Sequence, residues 1–152
     1  MLLGINKNLT LRPCLDSDYG AVYDLSAENM SAAVAKHWGG WDADLFRKDF
    51  RPGQITIIEH KGNFIGFFDF SRQTSAVGYL HNIQLKKDFQ GQGLGRYLLD
   101  KIESQARQEG CREMHLRVFK DSPARKFYEH FGYKIMDDNG DSVGMNKIIV
   151  KN

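Results

Sequence analysis

A mixed α/β fold is predicted for this chain, and three observations carry the prediction. An alternating apolar run over Val77 to Leu85 is followed by a glycine-rich turn and then by a helical run with Leu94, Leu98, Ile102 and Ala106 every fourth residue. Further alternating runs, Ile55 to Glu59, Phe64 to Ser71 and Met114-Leu116-Val118, are separated by turn signals. The length, 152 residues, is that of one domain with a single substantial core.

The elements follow in order. Asn8 to Arg12 alternates through Leu9 and Leu11 and stops at Pro13, a first strand. Asp16 or Asp18 is placed to cap a helix with Tyr19, Val22 and Leu25 on its apolar side. From Glu28 to Gly40 the pattern reads as irregular, ending in Gly39-Gly40, and Asp42 then caps a short helix with Leu45, Phe46 and Phe50 inward. Arg51-Pro52-Gly53 breaks it. The runs at 55–59 and 64–71 read as a hairpin across His60-Lys61-Gly62-Asn63, with Gly and Asn taking the positive φ. After Val77 to Leu85 and the glycine turn, the helix from Leu94 to Arg107 is ended by Gly110. Met114, Leu116 and Val118 form a strand; Ser122 at N-cap and Pro123 at N1 open a last helix with the stripe Ala124, Phe127, Tyr128 and Phe131. Ile135 and Val143 to Val150 close the order as an antiparallel arm across Asp138-Asn139-Gly140-Asp141.

Composition excludes several classes. Twenty-one Lys and Arg against nineteen Asp and Glu make no strong field, so nucleic acid and anionic membrane are not expected partners. No apolar run reaches the ~18 residues of a membrane span. Met-Leu-Leu-Gly-Ile-Asn-Lys lacks the basic n-region and apolar stretch of a leader, and Cys14 and Cys111 stand far apart. Two reduced thiols in a cytoplasmic protein, and no metal site, are the expectation.

Residues Gln90 to Gly95 read Gln-Gly-Gln-Gly-Leu-Gly. A glycine turn between a strand and a helix start presents backbone N–H groups and the positive end of the helix dipole to an anion, here a diphosphate. A Walker-type loop would end Gly-Lys-Ser/Thr, and this one ends Gly95-Arg96-Tyr97. A dinucleotide fingerprint fails on its third glycine, and Glu113 opens a strand where the acidic residue should end one. No acidic pair is spaced to hold Mg²⁺ for phosphoryl transfer.

The spacing Gln90-x-x-Gly93-x-Gly95 resembles the acyl-CoA pyrophosphate loop, Gln/Arg-x-x-Gly-x-Gly/Ala, of the GNAT N-acetyltransferase superfamily. Downstream, Leu116-Arg117-Val118 and then Ser122-Pro123-Ala124-Arg125-Lys126-Phe127-Tyr128, ending in Gly132-Tyr133, is similar to the family's second signature, a strand leading to a helix with Ala-x-x-Phe-Tyr. The match covers residues 79 to 133. Ser122 departs from the Asn that often contacts the CoA chain there, yet still caps the helix and offers one hydrogen bond.

The resemblance implies a central mixed, mostly antiparallel seven-stranded sheet flanked by about four helices, and an acetyl transfer from acetyl-CoA to a small-molecule or peptide amine by direct attack in a ternary complex. It implies that Ile83, Gln84 and Leu85 pair with the pantetheine and supply a backbone N–H to the acyl oxygen. Gln90, Gly91, Gln92, Gly93, Leu94, Gly95 and Arg96 would take the pyrophosphate, and Ser122, Ala124 and Phe127 the rest of the cofactor. A non-catalytic acyl-CoA sensor or interaction module of the same fold is the alternative, and the sheet edges leave a homodimer open.

Acyl transfer to an amine needs a neutral nucleophile and a proton for the leaving thiolate. Tyr128 suits the second task, since a phenol with a pKa near 10 stays protonated at neutral pH; its other reading is plain packing with Phe127 and Phe131. No carboxylate lies from Arg72 through Lys87, so His81, which shares strand parity with Ile83 and Leu85, is the candidate base, with Glu28 and Asn82 behind it. His60, His115 and His130 read as surface or packing residues. Trp38, Trp41, Asp42 and Asp44 beside Gly39-Gly40 offer aromatic faces and negative charge for a cationic acceptor, or a packed loop and a helix cap.

Overall fold

Pro13 closes the first strand where the alternation stops: in the computed structural model, which describes residues 8–150, β1 is Leu9–Pro13. The reading of the leader falls on residues 1–7 and lies outside the described residues. Helices α1 (Tyr19–Trp38) and α2 (Ala43–Asp49) follow, then strands β2 (Ile55–His60), β3 (Asn63–Arg72) and β4 (Val77–Leu85). Next come α3 (Leu94–Gln108), β5 (Glu113–Phe119), α4 (Pro123–His130), β6 (Lys134–Asp138) and β7 (Ser142–Ile148). The strands form one seven-stranded sheet in the order β1-β2-β3-β4-β5-β7-β6. Strands β4 and β5 pair in parallel, whereas β1–β2, β2–β3, β5–β7 and β6–β7 are antiparallel.

Four expectations need correction. The segment from Glu28 is helical as far as Trp38, because Ala32, Ala33 and Ala35 favour helix and no Gly or Pro intervenes. The stop is Gly39, whose φ of 87° is a left-handed C-terminal cap. The hairpin turns at Lys61 (φ 52°) and Gly62 (φ 80°), with Asn63 already in β3 opposite His60. Asp18 occupies the N-cap of α1, but its carboxylate accepts from Leu15 N and from Arg12 rather than from a helix N–H. Asp42 does cap α2, accepting from Leu45 N at 3.0 Å, yet Leu45 itself is 52% exposed and not inward.

The described chain divides into two compact units, residues 8–69 with 82–98 and residues 70–81 with 99–150. In the first, Val22 and Leu25 of α1 pack with Cys14, Ile55, Ile57 and Phe67, and Phe46, Phe50 and Phe64 border them. In the second, Ile102, Ala106, Met114, Leu116, Val143 and Met145 are buried. There Glu103 is buried as well, accepting from the Tyr133 hydroxyl at 2.8 Å and from Lys147 Nζ at 2.9 Å. A buried carboxylate with two donors is satisfied, so this triad is a structural tie.

Candidate functional site

The parallel ladder between β4 and β5 is short: Val77 to Leu80 pair with Glu113 to Leu116, and there it ends. From Glu113 to Phe119, β5 is paired along its whole length with β7. His81, Asn82, Ile83, Gln84 and Leu85 therefore lie past the last β4–β5 pair. Backbone groups at a strand end without a ladder partner can pair with an extended ligand.

The end of β4 is held by side-chain amides within the first unit. The Leu85 carbonyl accepts from Gln90 Nε2 at 2.8 Å and from Asn29 Nδ2 at 3.1 Å. Asn29 Nδ2 also donates to Gln84 Oε1 at 3.0 Å, and Gln84 Nε2 donates to Asn82 Oδ1 at 2.8 Å. The Gln90 side chain is thus turned back on the strand. Gly91 and Gly93 take φ of 73° and 82°, conformations that side chains with a Cβ rarely adopt. Gln92 Nε2 bonds Asp88 O at 2.6 Å, closing the turn. Leu94 is buried and anchors the first turn of α3, while Gly95 is half-buried and Arg96 exposed. Tyr97 N is bonded to Gly93 O at 3.3 Å, so the N–H groups of Leu94, Gly95 and Arg96 precede that bond at the positive end of the helix.

The remaining expected residues lie in the second unit. Ser122 caps α4 by accepting from Ala124 N at 3.2 Å, with Pro123 next to it at the helix start. Phe127 is half-buried and its ring stands edge-on to that of Tyr128, centroids 5.3 Å apart. Tyr128 is 6% exposed, and burial pushes its phenol above the ordinary range. Among the described residues no side-chain hydrogen bond holds its hydroxyl, in contrast to Tyr133, which is tied to Glu103. A phenol that is packed, protonated and free to donate is chemically an acid in reserve.

His81 is exposed, with Nε2 at 2.6 Å from Ser71 Oγ and its ring 4.8 Å from that of Tyr79. Desolvation lowers its pKa below the ordinary histidine value, so at neutral pH it is an uncharged imidazole able to accept a proton. Glu28 is exposed on α1, and Asn82 is occupied with Gln84. Trp41 packs: its Nε1 donates to Tyr23 Oη at 3.0 Å, and its ring meets Phe46 at 5.6 Å. Asp42 is spent on capping α2, whereas Trp38 stands 65% exposed at the end of α1.

Two residues escaped the reading of the sequence. Asn29 fell in a stretch taken as irregular, which left no helix face to place it on. Asp69 had a signal: it is the one charged residue in the run Phe64 to Phe70. Its Oδ1 is buried with no hydrogen-bond partner, and burial pushes the carboxyl up to about 6.

This strand, loop and helix belong to a recognised class. The model of the acetyltransferase (GNAT) family matches residues 20–133, and the chain belongs to that family. It is 37% identical over 92 residues to the uncharacterized N-acetyltransferase ycf52 of Gracilaria tenuistipitata var. liui, a match covering 60% of this chain and 49% of that protein. It is 32% identical over 107 residues to the uncharacterized N-acetyltransferase YuaI of Bacillus subtilis (strain 168), covering 67% and 62%. The matched part thus spans about half to three fifths of these relatives. The fold is shared with Ard1 from Thermoplasma volcanium (TM-score 0.77, 19% identity, 95% of this chain and 99% of that one). It is shared also with the PaiA N-acetyltransferase from Thermoplasma acidophilum, solved in complex with coenzyme A (TM-score 0.75, 18% identity, 92% and 98%).

Proposed function

We propose that this chain, as a single domain, transfers an acetyl group from acetyl-CoA to a primary amine by direct attack within a ternary complex. The observation that carries the reading is the end of β4: a ladder that stops at Leu80, followed by an amide-braced strand end and a turn with two left-handed glycines opening α3. Ile83, Gln84 and Leu85 offer backbone to the pantetheine, and an N–H there polarises the thioester oxygen. The backbone from Gln90 to Arg96 takes the pyrophosphate, where the dipole of α3 favours negative charge. Ser122, Ala124 and Phe127 border the cofactor on the strength of the family signature. Tyr128 gives its proton to the departing thiolate, a role supported by burial that keeps the phenol protonated. On the amine side His81 is one candidate to take the proton, directly or through water, supported by its uncharged state at neutral pH.

The test is release of CoA thiol. The protein is incubated with acetyl-CoA and a panel of amines that includes peptide N-termini, lysine derivatives and polyamines. Thiol appearing above the no-amine rate is expected for at least one acceptor class. Tight acetyl-CoA binding with no amine-dependent thiol would make the protein a binder and not a transferase.

A further inference from the structure

Asp69 is positioned for chemistry that the family signatures do not assign. On β3 it stands opposite Ile55 of β2, as Phe67 stands opposite Ile57. Directly opposed residues share a face of the sheet, and Ile55, Ile57 and Phe67 pack with Val22 and Leu25 of α1. The Asp69 carboxyl is therefore on the face that α1 covers, at the next position along from Phe67.

Its place along the neighbouring strand follows from two contacts. Lys86 N donates to Ile65 O at 2.8 Å, and a Cβ at Gly66 would run into Gln84 O and Leu85. Advancing three residues on β3 from Gly66 retreats by about three on β4, because the two strands are joined by the tight turn in which Gln73 N bonds Val77 O. Asp69 thus lies beside Asn82, one residue before the stretch assigned to the acyl group.

The carboxyl is poorly provided for as a structural group. Oδ1 is buried without a partner, which disfavours the charged form, while the residue as a whole keeps partial exposure. Arg51 and Cys14 are coupled to it electrostatically. Arg51 pulls its pKa down without overcoming burial, its Nη1 being bonded to Lys48 O, and the Cys14 thiol is itself pushed up to about 11 with Asp69 among the causes.

We propose that Asp69 is the acceptor-side base, binding the acceptor as an alkylammonium cation and taking its proton. The inference rests on the acetyl-transfer reading above. The ammonium gives one proton to the Asp69 carboxylate, which passes it to solvent. The freed lone pair forms the C–N bond as the C–S bond breaks. Of the two hydrogens left on nitrogen, one stays on the amide and one is balanced by protonation of the CoA sulfur. His81 is then a neighbour of the reaction rather than its base. The preferred substrates are aliphatic primary amines, cationic at neutral pH, over neutral aromatic amines and alcohols.

The test pairs kinetics with a titration that needs no turnover. Asp69→Asn keeps size and shape, so the variant folds, and its CoA affinity by calorimetry stays within about twofold of wild type. Its kcat at pH 7 falls by ~10²-fold or more, and the acidic limb of the pH–rate profile disappears. Full rate with an intact limb would overturn the assignment. In the CoA-bound wild type, carboxyl ¹³C shifts report the Asp69 midpoint while propylamine, putrescine or N-acetyl-lysine amide is added. At least one of these cations lowers the midpoint and propanol does not; no shift with any of them overturns the proposal. A shift without thiol release in the wild type supports Asp69 as the amine site and tells instead against acetyl transfer.

Discussion

Tyr128 and Tyr133 show how two buried phenols in one unit serve different ends. Tyr133 donates to Glu103, which Lys147 also neutralises, so its hydroxyl is committed. The Tyr128 ring packs edge-on against Phe127 and Tyr133, and among the described residues no side-chain hydrogen bond holds its hydroxyl. Removing its hydroxyl therefore breaks no structural bond. Tyr128→Phe should leave thermal stability and CoA affinity nearly unchanged while kcat falls at least tens-fold, within the ~10²- to 10⁴-fold span of general-acid contributions. A near wild-type kcat would return Tyr128 to the core stripe. His81 calls for a different measurement. Because desolvation lowers its pKa, an acidic limb owed to it would lie below the ordinary histidine midpoint, with rate rising as pH increases through it. His81→Ala and His81→Gln both remove that limb if the imidazole is the base, and both keep it if Asp69 is. Heat separates the same two cases, since imidazole ionisation moves with temperature and carboxyl ionisation hardly does.

At the level of elements, the glycine turn makes the firmest prediction. Gly93 has φ of 82°, so a valine there is strained and adds bulk beside the first turn of α3. Gly93→Val should keep its fold by circular dichroism and lose most of its acetyl-CoA affinity by calorimetry; unchanged affinity would sink the pyrophosphate assignment. This turn, α3 and the cap of α4 were legible because each rests on local rules: left-handed glycines, a four-residue apolar repeat, a serine that accepts from the second N–H after it. The second half of α1 was not, since alanines and small polar residues carry helix propensity without the apolar period that marks a helix face. With that helix unread, Asn29 had no position, and the brace it makes on Leu85 depends on residues 56 apart in sequence. Asp69 shows the opposite failure. The residue was visible, but the orphaned oxygen on it is a fact of packing that no local pattern reports.

For the whole molecule, the order of strands and helices agrees with what the signatures implied, while the unsatisfied carboxyl leaves a mark on stability. The folded-state value for Asp69, about 6, lies above the ordinary aspartate range. A folded state that holds its proton more tightly than the unfolded one gains stability in acid. That gain is fully present below the unfolded pKa and is lost as pH rises toward 6. Asp69→Asn should therefore be more stable than wild type at pH 7.5, by on the order of 2 kcal/mol, with the difference closing near pH 4. Equal melting temperatures at pH 7.5 would mean that the carboxyl is solvated and not confined. The burial of the two cysteines has a practical corollary. Cys14 and Cys111 are both enclosed, and burial raises both thiols, Cys14 to about 11. Thiolate is the form that attacks an aromatic disulfide reagent, so the native protein should stay colourless with it at pH 7.5 and yield two equivalents only in denaturant. Acetyl-CoA turnover can then be followed continuously by that colour, each increment counting one molecule of coenzyme set free and none of it the enzyme's own sulfur.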